Sequence, residues 1–370
     1  MLEARLQTMG HEPLRVGLAC NRDFFEPDVD RSQIARLEAF AEFRWHEMNE
    51  PTSWDELPAP SAAARSSIVD FARELDVLLV CHGAPRITAD ILAESPRLKL
   101  IGELEGDRFA GRIDVSAATD RGVRVVDTTH GTSAPVAEWA LGLILIAVRN
   151  AGALFRSLIG GTFPFANAEE RRTDPGFTNG ELTGKRVGLI GCGHIGRRLI
   201  TFLKPFDTDV WVHDPYVPKE VAQVLDVTLT SLHNVLSKCD IVVCLVPLTP
   251  ATEGMLGEEE LALLRPGAVF VNVSRGKVVR TDALLARLDR GDVFAGLDVF
   301  DPEPIPLDSP ILRMPNAFLT PHVASTAAGR LRLFSLMVDE LERFAGGHET
   351  LHDLSPRVMA NRRGEAPPPR

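Results

Sequence analysis

The sequence predicts an α/β protein built from two doubly wound domains, each organised around a parallel sheet. At 370 residues the chain is longer than one hydrophobic core usually organises, so two domains are expected. Short runs of Val, Leu and Ile alternate with segments of helical spacing, which is typical of βαβ units. In the second half, a glycine-rich turn separates a strand-like run from a helix-like run, a pattern that favours a doubly wound sheet.

Four apolar runs in the first part of the chain are interpreted as strands, at residues 14–19, 77–81, 98–101 and 123–126. A helix is predicted over residues 135–149, with Ser133 before it as a candidate cap. Residues 150–182 have little periodicity, so we interpret them as a connecting segment.

The second part contains a clearer series of six predicted strands, at residues 186–190, 210–213, 241–245, 268–273, 294–298 and 317–320. Six strands with helices between them fit a doubly wound nucleotide domain. An amphipathic helix is predicted over residues 325–344 because apolar side chains recur there at helical intervals. From Gly364 onward the tail contains three consecutive prolines, which cannot continue a helix, and we expect disorder there.

The composition excludes several classes of protein. Apolar residues make up 45% and charged residues 25% of the chain, which argues against disorder and against a coiled coil. A net charge of -11 offers no basic surface to a phosphate backbone, so no nucleic-acid partner is expected. The longest apolar run, residues 140–148, is too short for a membrane span, so no membrane partner is expected.

The cysteines and the first residues favour a cytoplasmic location. The five cysteines are odd in number and include no Cys-x-x-Cys pair, so we expect buried reduced thiols and no metal site. The segment from Met1 to Arg5 lacks the apolar core of a signal peptide.

One glycine-rich turn has the spacing of a dinucleotide site. The predicted strand at residues 186–190 runs into Gly191-Cys192-Gly193-His194-Ile195-Gly196, and a helix-like run follows. The first glycine permits a tight turn, the second lets backbone amides approach a pyrophosphate, and the third allows close packing of helix on strand. A glycine-rich loop without a ligand is the alternative.

Asp214 comes at the end of the next predicted strand, close to the spacing at which an acid accepts hydrogen bonds from the ribose hydroxyls of the cofactor. Pro215 and Tyr216 follow, with no arginine to receive a 2′-phosphate. Because the carboxylate would repel that phosphate, the predicted cofactor is NAD rather than NADP. The alternative is an aspartate that only caps a turn.

Three residues with complementary chemistry follow three of the predicted strands. Arg275, Glu303 and His322 come after the strands at 268–273, 294–298 and 317–320, where open α/β sheets bind ligands. A guanidinium offers two-point donation to a carboxylate and a neighbouring carbonyl, and a histidine oriented by a carboxylate exchanges a proton near neutral pH. These types suit carbonyl reduction beside a carboxylate, although each residue alone also fits a structural role in its loop.

Six segments in sequence order carry a resemblance to a known family. They are Gly191–Gly196, Val246-Pro-Leu-Thr-Pro250, Leu264-Arg-Pro-Gly-Ala268, Asn272-Val-Ser-Arg-Gly276, Gly296-Leu-Asp-Val-Phe-Asp-Pro-Glu-Pro304 and Leu319-Thr-Pro-His322. From about residue 185 to 325 the chain resembles the D-isomer-specific 2-hydroxyacid dehydrogenases, which include phosphoglycerate, glycerate and D-lactate dehydrogenases.

The resemblance implies roles for particular residues. The family's catalytic arginine, glutamate and histidine fall on Arg275, Glu303 and His322. Its acceptor for the nicotinamide amide falls on Asp298, and the remaining cofactor contacts are expected at His194, Ile195, Pro247 and Val273.

The resemblance also implies the architecture and the assembly. A Rossmann NAD-binding domain would occupy residues 131–324. A flavodoxin-like substrate domain would combine residues 1–130 with 325–370 and be completed by the C-terminal helix. A homodimer would form around the helix at residues 135–149.

One departure from the family concerns the substrate. The family has a short glycine loop after residues 98–102 whose amides bind the substrate carboxylate, whereas this chain has an acidic stretch from Glu103 to Arg112. We expect His82, Gly83, Gly106 and Arg108, together with Arg275, to contact a small 2-keto or 2-hydroxy acid. The acids of the stretch would turn to solvent or contact a polar group at the far end of the substrate. A surface bulge without a role in recognition is the alternative.

Two other functions remain open at this point. One is an NAD-sensing binding protein like the family's corepressor branch, which would not need the three catalytic residues. The other is a formate- or phosphite-type dehydrogenase, but formate enzymes of this fold usually carry glutamine at the position of Glu303.

Overall fold

The chain divides into two compact units, seen in a computed structural model that describes residues 12–51, 59–105, 111–354 and 356–365. The first unit is formed by Met1–Thr132 and Thr326–Arg362, and the second by Ser133–Ser325 and Arg363–Arg370. The second unit thus includes a short C-terminal stretch that the sequence analysis assigned to the substrate domain. Each unit contains one parallel sheet.

The twelve strands are β1 (Leu14–Cys20), β2 (Ala41–Glu47), β3 (Val77–Val80), β4 (Leu100–Glu103), β5 (Arg124–Asp127), β6 (Arg186–Ile190), β7 (Asp209–His213), β8 (Thr228–Leu229), β9 (Ile241–Cys244), β10 (Val269–Asn272), β11 (Phe294–Leu297) and β12 (Ala317–Leu319) among the described residues. The α-helices there are α1 (Arg22–Asp28), α2 (Arg31–Glu38), α3 (Ala62–Ala72), α4 (Ala89–Ala93), α5 (Val115–Asp120), α6 (Ser133–Val148), α7 (Ala151–Ile159), α8 (Ala168–Thr173), α9 (Pro175–Thr178), α10 (His194–Leu203), α11 (Lys219–Leu225), α12 (Leu232–Lys238), α13 (Glu258–Ala262), α14 (Thr281–Asp289), α15 (Ala327–Ala345) and α16 (Pro356–Arg363).

The first unit has a five-stranded parallel sheet in the order β2-β1-β3-β4-β5, the order of flavodoxin-like folds. The C-terminal helix α15 belongs to this unit and completes its core. Its side chains Leu333, Phe334, Met337 and Val338 are fully buried in one cluster with strand residues such as Leu18. The predicted flavodoxin-like fold, completed by this helix, is confirmed.

The second unit has a seven-stranded parallel sheet in the order β12-β11-β10-β9-β6-β7-β8. The strand order reverses beside β6, because β7 pairs on one side of it and β9 on the other. This is the doubly wound Rossmann order with one strand added at the edge. The six predicted strands are present, and the two-residue strand β8 was missed.

Six strand ends of this sheet are level with one another. The register pairs His213 with Ile190, Ile190 with Cys244, Cys244 with Asn272, Asn272 with Leu297, and Leu297 with Leu319. We call this row of six residues the strand-end row. Residues that immediately follow it therefore emerge at the same edge, which is where open α/β sheets bind ligands.

Helix α6 is the most apolar helix of the second unit and packs on β10 and β11. The helical stretch Thr129–Val148 is long and apolar enough to cross a membrane by length and composition, but 50% of its apolar window is buried inside the fold, as in a core helix. The segment at 150–182, expected to be a plain connection, contains α7, α8 and α9.

Candidate active site

Each of the three glycines in the turn after β6 is explained by a different observation. Gly191 has a φ of 99°, a left-handed conformation that favours glycine. A Cβ on Gly196 would lie 2.9 Å from the carbonyl oxygen of Gly191, so this glycine lets α10 approach the strand. A Cβ on Gly193 would meet nothing within 4 Å, so no protein atom explains the absence of a side chain there. The open space beside Gly193 matches the place of a pyrophosphate in such turns.

Helix α10 begins without a side-chain cap. Its N-cap residue is Gly193, and His194 and Ile195 occupy the first two positions of the helix. The first amide groups of a helix have no partners within it and carry a partial positive charge. This helix start therefore fits an anionic group such as the cofactor's pyrophosphate.

Asp214 follows the strand-end residue of β7 and joins two backbone segments. Its Oδ2 accepts from the N–H of Cys192 at 2.7 Å, and its Oδ1 accepts from the N–H of Tyr216 at 2.7 Å. Each carboxylate oxygen can accept more than one hydrogen bond, so capacity remains for ribose hydroxyls. A cavity of about 510 Å³ adjoins it, lined in part by Pro215, Leu229 and Thr230.

The start of the C-terminal tail lies beside this region. The hydroxyl of Tyr216 donates to the carbonyl oxygen of Glu365 at 2.6 Å. A Cβ on Gly364 would lie 3.0 Å from atoms of both Thr249 and Ala251, so the tail also packs against the loop after β9. The expectation of disorder is therefore wrong for Gly364 and Glu365, and the rest of the tail lies outside the described residues.

His322 and Glu303 are in direct contact at the same edge. His322 Nδ1 lies 2.5 Å from Glu303 Oε1, and the two side chains are 27% and 38% exposed. A carboxylate only accepts, so Nδ1 carries the hydrogen of this contact. The backbone of His322 is left-handed, with a φ of 53°.

Arg275 lies three residues beyond the strand-end residue Asn272 of β10 and is half-buried. Its Nη1 donates to the carbonyl oxygen of Ser274 at 2.7 Å, and the Asn272 side chain donates to the carbonyl oxygen of Arg275 at 3.1 Å. The structure thus brings Glu303 and His322 together and places Arg275 beyond a neighbouring strand of the same edge.

The other expected cofactor residues also follow the strand-end row. Asp298 is fully buried directly after β11, and Val273 is 5% exposed directly after β10. The carbonyl oxygen of Pro247, after β9, accepts from the Thr252 hydroxyl at 2.6 Å. The predicted residues of this unit therefore lie in loops, or in the first turn of α10, at one edge of one sheet.

Comparison with known proteins decides the family. Residues 141–324 match the family model described as D-isomer specific 2-hydroxyacid dehydrogenase, NAD binding domain. A mitochondrial formate dehydrogenase from Hordeum vulgare is 34% identical over 294 residues, which are 77% of this chain and 74% of the relative. The chain belongs to the D-isomer-specific 2-hydroxyacid dehydrogenase family. The predicted membership and the predicted NAD cofactor are confirmed.

Two further comparisons define how far the likeness reaches. A D-3-phosphoglycerate dehydrogenase from Methanocaldococcus jannaschii is 34% identical over 295 residues, which are 79% of this chain and 54% of the relative. The chain thus spans about half the length of the phosphoglycerate dehydrogenases it matches. The structure of a phosphoglycerate oxidoreductase from Rhizobium etli shares the fold, with a TM-score of 0.75 at 23% identity over 92% of this chain and 98% of the other.

In the first unit of this family member, four charged or titratable side chains form a cluster beyond β3 and β4. His82 Nε2 lies 2.7 Å from Glu105 Oε2, and Arg330 contacts the same carboxylate at 3.5 Å. Arg330 also donates to Asp28 at 2.9 Å. Sequence reasoning found His82 but missed Arg330, because nothing in the pattern of α15 indicates which of its arginines folds back over the sheet.

Gly83 has a structural explanation of its own. Its φ is 84°, and a Cβ there would lie 2.1 Å from the carbonyl oxygen of Met48. Close backbone approach therefore accounts for this glycine without a substrate. The other two expected substrate residues of this region, Gly106 and Arg108, lie outside the described residues.

The acids of residues 103–112 were expected to turn to solvent or to contact the far end of the substrate, and the first alternative is wrong for Glu103 and Glu105. Glu103 Oε1 lies 3.1 Å from Arg112 Nη1, and these side chains are 2% and 0% exposed. Burial raises the pKa of Glu103 to about 7, although the Arg112 guanidinium acts in the opposite direction. Glu105 is 14% exposed and lies in the charged cluster described above. Arg112 therefore serves the interior and is no candidate for a substrate carboxylate.

Cys81, His82 and Glu105 are close enough to resemble a metal site, with ligand atoms within 4.8 Å of one another. Two observations argue against a bound cation. Arg330 already places a positive charge beside the Glu105 carboxylate. Burial raises the pKa of the Cys81 thiol well above its usual range, and a thiol must lose its proton to bind a metal.

Proposed function

We propose that this chain is an NAD-dependent D-2-hydroxyacid dehydrogenase that interconverts a small 2-keto acid and its D-2-hydroxy acid. The observation that carries the proposal is the 2.5 Å contact of His322 with Glu303 at the sheet edge that also holds the glycine turn and Asp214. A cofactor-sensing protein has no need of a partly exposed histidine oriented by a carboxylate. This disfavours the corepressor-like alternative.

His322 would be the general acid of reduction. Because Glu303 holds Nδ1–H, the proton of Nε2 is the one available to the carbonyl oxygen of a substrate. In the oxidation direction the neutral imidazole accepts the hydroxyl proton at the same atom. Glu303 orients the ring through its contact with Nδ1.

Arg275 would bind the substrate and polarise it. A guanidinium donates to two oxygens in one plane, which suits a carboxylate and the adjacent carbonyl. The contact of Nη1 with the carbonyl oxygen of Ser274 fixes one side of the guanidinium group.

The cofactor would be held by the glycine turn, the first turn of α10 and Asp214. When bound, NADH supplies the hydride that the carbonyl carbon receives. Asp214 favours NAD over NADP, because a 2′-phosphate would face its carboxylate. Replacing Asp214 with Ala and Tyr216 with Arg should shift the preference toward NADP.

Formate oxidation is the second candidate, because the Hordeum vulgare relative carries the name formate dehydrogenase. Glu303 argues for the 2-keto acid reaction, since the chemistry of a hydroxyl substrate requires a proton on His322 and Glu303 supports it. Formate oxidation releases no hydroxyl proton and gains nothing from this pair.

A panel of 2-keto acids assayed with NADH, and formate assayed with NAD, tests these proposals through the absorbance of NADH. We expect NADH oxidation with at least one 2-keto acid, a D-configured product, and a lower rate with NADPH. Turnover of formate alone would overturn the assignment in favour of the second candidate. Absence of any turnover with retained NADH binding would favour a cofactor-sensing protein.

Substrate selection is proposed to involve His82 and the loop around Gly106 and Arg108. Arg108→Ala should raise the KM for the best 2-keto acid several-fold, and substrates with a hydroxyl or amine at the far end should outperform pyruvate. The matched control is Arg73→Ala, because Arg73 is exposed and contacts only its helix neighbour Asp70 among the ion pairs of the described residues. Unchanged KM together with pyruvate as the best substrate would leave the loop without a role.

A homodimer in the cytoplasm is also proposed. The region after α6 exposes four large apolar side chains, Phe155 (62%), Leu158 (54%), Ile159 (68%) and Phe163 (74%). Apolar patches of this kind are typical of interfaces. Sedimentation should give a dimer for the native chain and a monomer for Phe155→Asp with Ile159→Asp. The control Val224→Asp, at an isolated exposed position, should stay dimeric.

A further inference from the structure

We propose that Trp139, Thr320 and Asp298 form a positioning chain that holds the His322 turn in its left-handed conformation. The inference rests on the proposed function in one respect, namely that His322 is the proton donor. Trp139 and Thr320 are the new residues, and neither follows from the family resemblance.

The turn that carries His322 is conformationally demanding. A φ of 53° is uncommon for a residue with a side chain, so surrounding contacts must maintain it. The backbone N–H of His322 donates to the carbonyl oxygen of Asp298 at 2.8 Å. Asp298 therefore contacts the turn through its main chain as well as its side chain.

The carboxylate of Asp298 binds the turn on both sides of His322. Its Oδ1 accepts from the Thr320 hydroxyl at 2.6 Å and from the N–H of Val323 at 2.9 Å. Its Oδ2 accepts from the N–H of Ala324 at 2.9 Å. Because Asp298 is fully buried, these donors replace the water that a carboxylate otherwise requires. The same Oδ2 can accept a second hydrogen bond, which leaves room for the nicotinamide amide.

Trp139 determines which groups donate and which accept in the positioning chain. Its indole Nε1, which can only donate, lies 3.2 Å from the Thr320 hydroxyl oxygen. The hydroxyl accepts there, so its single hydrogen points to Asp298 Oδ1. Serial hydrogen bonds polarise one another, and this order strengthens the bond that reaches the carboxylate.

The positioning chain begins at Trp139, which lies on a rigid element. Trp139 lies on α6, which packs so closely on β11 that a Cβ on Gly296 would be 3.0 Å from Leu143 Cβ. Asp298 follows that same strand directly. Helix α6 therefore supports the His322 turn through Trp139. A group held by the packing of a helix on a sheet is placed more accurately than one held by a loop alone.

Variants at both new positions test the proposal. Thr320→Val removes the hydroxyl at constant shape, and Thr320→Ser restores it. Trp139→Phe removes only the indole donor, and its matched control is Trp211→Phe, whose indole donates to the exposed Asp209 elsewhere. Thermal unfolding of each variant confirms that it is folded.

We expect Thr320→Val to lower kcat by about 10–100-fold, since a misplacement near 1 Å costs on the order of 10²-fold. The Kd for NADH should stay within about twofold, the pH profile of kcat should move, and Thr320→Ser should restore both. Trp139→Phe should lower kcat several-fold, and Trp211→Phe should leave it unchanged.

A measurement that does not depend on turnover tests the positioning chain independently of the proposed reaction. The rate at which diethyl pyrocarbonate modifies His322, followed by peptide mass spectrometry, should change in Thr320→Val and Trp139→Phe and return in Thr320→Ser. If the wild type reduces no 2-keto acid but this pattern holds, the positioning chain stands and the proposed reaction fails. Unchanged kcat and unchanged modification in both variants overturn the chain, and so does a loss confined to NADH binding.

Discussion

The two units place a strand-to-helix turn at the same point of their sheets, and the two turns are built differently. In the first unit β1 leads into α1, and the side chain of Asn21 caps the helix by accepting from the N–H of Phe24 at 3.0 Å. In the second unit β6 leads into α10, and Gly193 leaves the same position without a side-chain cap. The surrounding strand order is alike, because β1 and β6 each lie between two parallel neighbours.

This difference shows how one topology serves two purposes. A helix start carries amide groups that need an acceptor, and a protein can supply it from its own side chain or leave it to a ligand. Asn21 supplies the acceptor from its own side chain. We propose that at Gly193, which has no side chain to do so, the bound cofactor supplies it.

The two units also differ in the exposure of a carboxylate and its charged or titratable partner. Glu303 and His322 are 38% and 27% exposed, whereas Glu103 and Arg112 are 2% and 0% exposed. A pair that exchanges a proton with a substrate has to be reached by it, and a pair that organises the interior has to be sheltered from water. The following predictions test that contrast.

The largest effect is expected at the exposed pair. His322→Ala should lower kcat by about 10²–10⁴-fold, the usual contribution of general acid–base catalysis, while NADH still binds. Steady-state kinetics and a fluorescence titration measure the two quantities. Near-normal turnover would remove His322 from the mechanism.

The partner of His322 supplies a milder variant of the same test. Glu303→Gln removes the carboxylate that accepts from Nδ1 and orients the ring, so kcat for reduction should fall, by less than in His322→Ala, while NADH still binds. An unchanged kcat would contradict the pairing.

The second effect concerns the buried pair. Arg112→Ala should lower the free energy of unfolding by about 3–5 kcal/mol, because it leaves a cavity and a buried Glu103 carboxyl without its guanidinium. The matched control is Arg22→Ala, whose pairs with Glu26 and Glu47 are exposed and screened by water, so its loss should be much smaller. Urea unfolding measures both, and equal losses would contradict the contrast.

The third prediction compares the two turns directly. Gly193→Ala should leave the melting temperature unchanged, because its Cβ meets no protein atom within 4 Å, yet weaken NADH binding about 10–100-fold through a clash with the pyrophosphate. Asn21→Ala should do the reverse, losing about 1 kcal/mol of stability without changing NADH binding. Calorimetric titration and thermal unfolding distinguish these outcomes, and unchanged affinity in Gly193→Ala would refute the assigned site.

The last prediction is a gradual pH dependence of stability. The pKa of Glu103 is raised from 4.5 to about 7 in the fold, so the folded state holds the proton more tightly than the unfolded chain does. Its contribution is fully present below pH 4.5 and is lost as the pH rises through about 7, by at most about 1.4 kcal/mol per pH unit. Glu103→Gln should flatten that part of the stability curve. An identical slope in both proteins would assign the dependence to other groups.

Most of the fold and of the site could be predicted from long apolar runs and from spaced motifs. Ten strands lie close to predicted positions because buried parallel strands are continuous apolar runs. Strand β2 was missed because it is an edge strand whose sequence, Ala-Glu-Phe-Arg-Trp-His-Glu, is mostly polar and whose pairing comes from the backbone of β1. The helices at 151–178 were missed because they are short and mostly exposed, so they lack a long apolar stripe.

By itself the sequence determined the sheets, the glycine turn and which residues follow the strand ends, because these depend on local periodicity and spacing. Only the tertiary structure decided which of those residues meet. The level strand-end row brings Glu303 to His322, and the packing of α6 on β11 brings Trp139 to Thr320 across a long separation in sequence. It also decided that Arg112 is buried rather than offered to a substrate, since the burial of a charge depends on partners that no local pattern specifies.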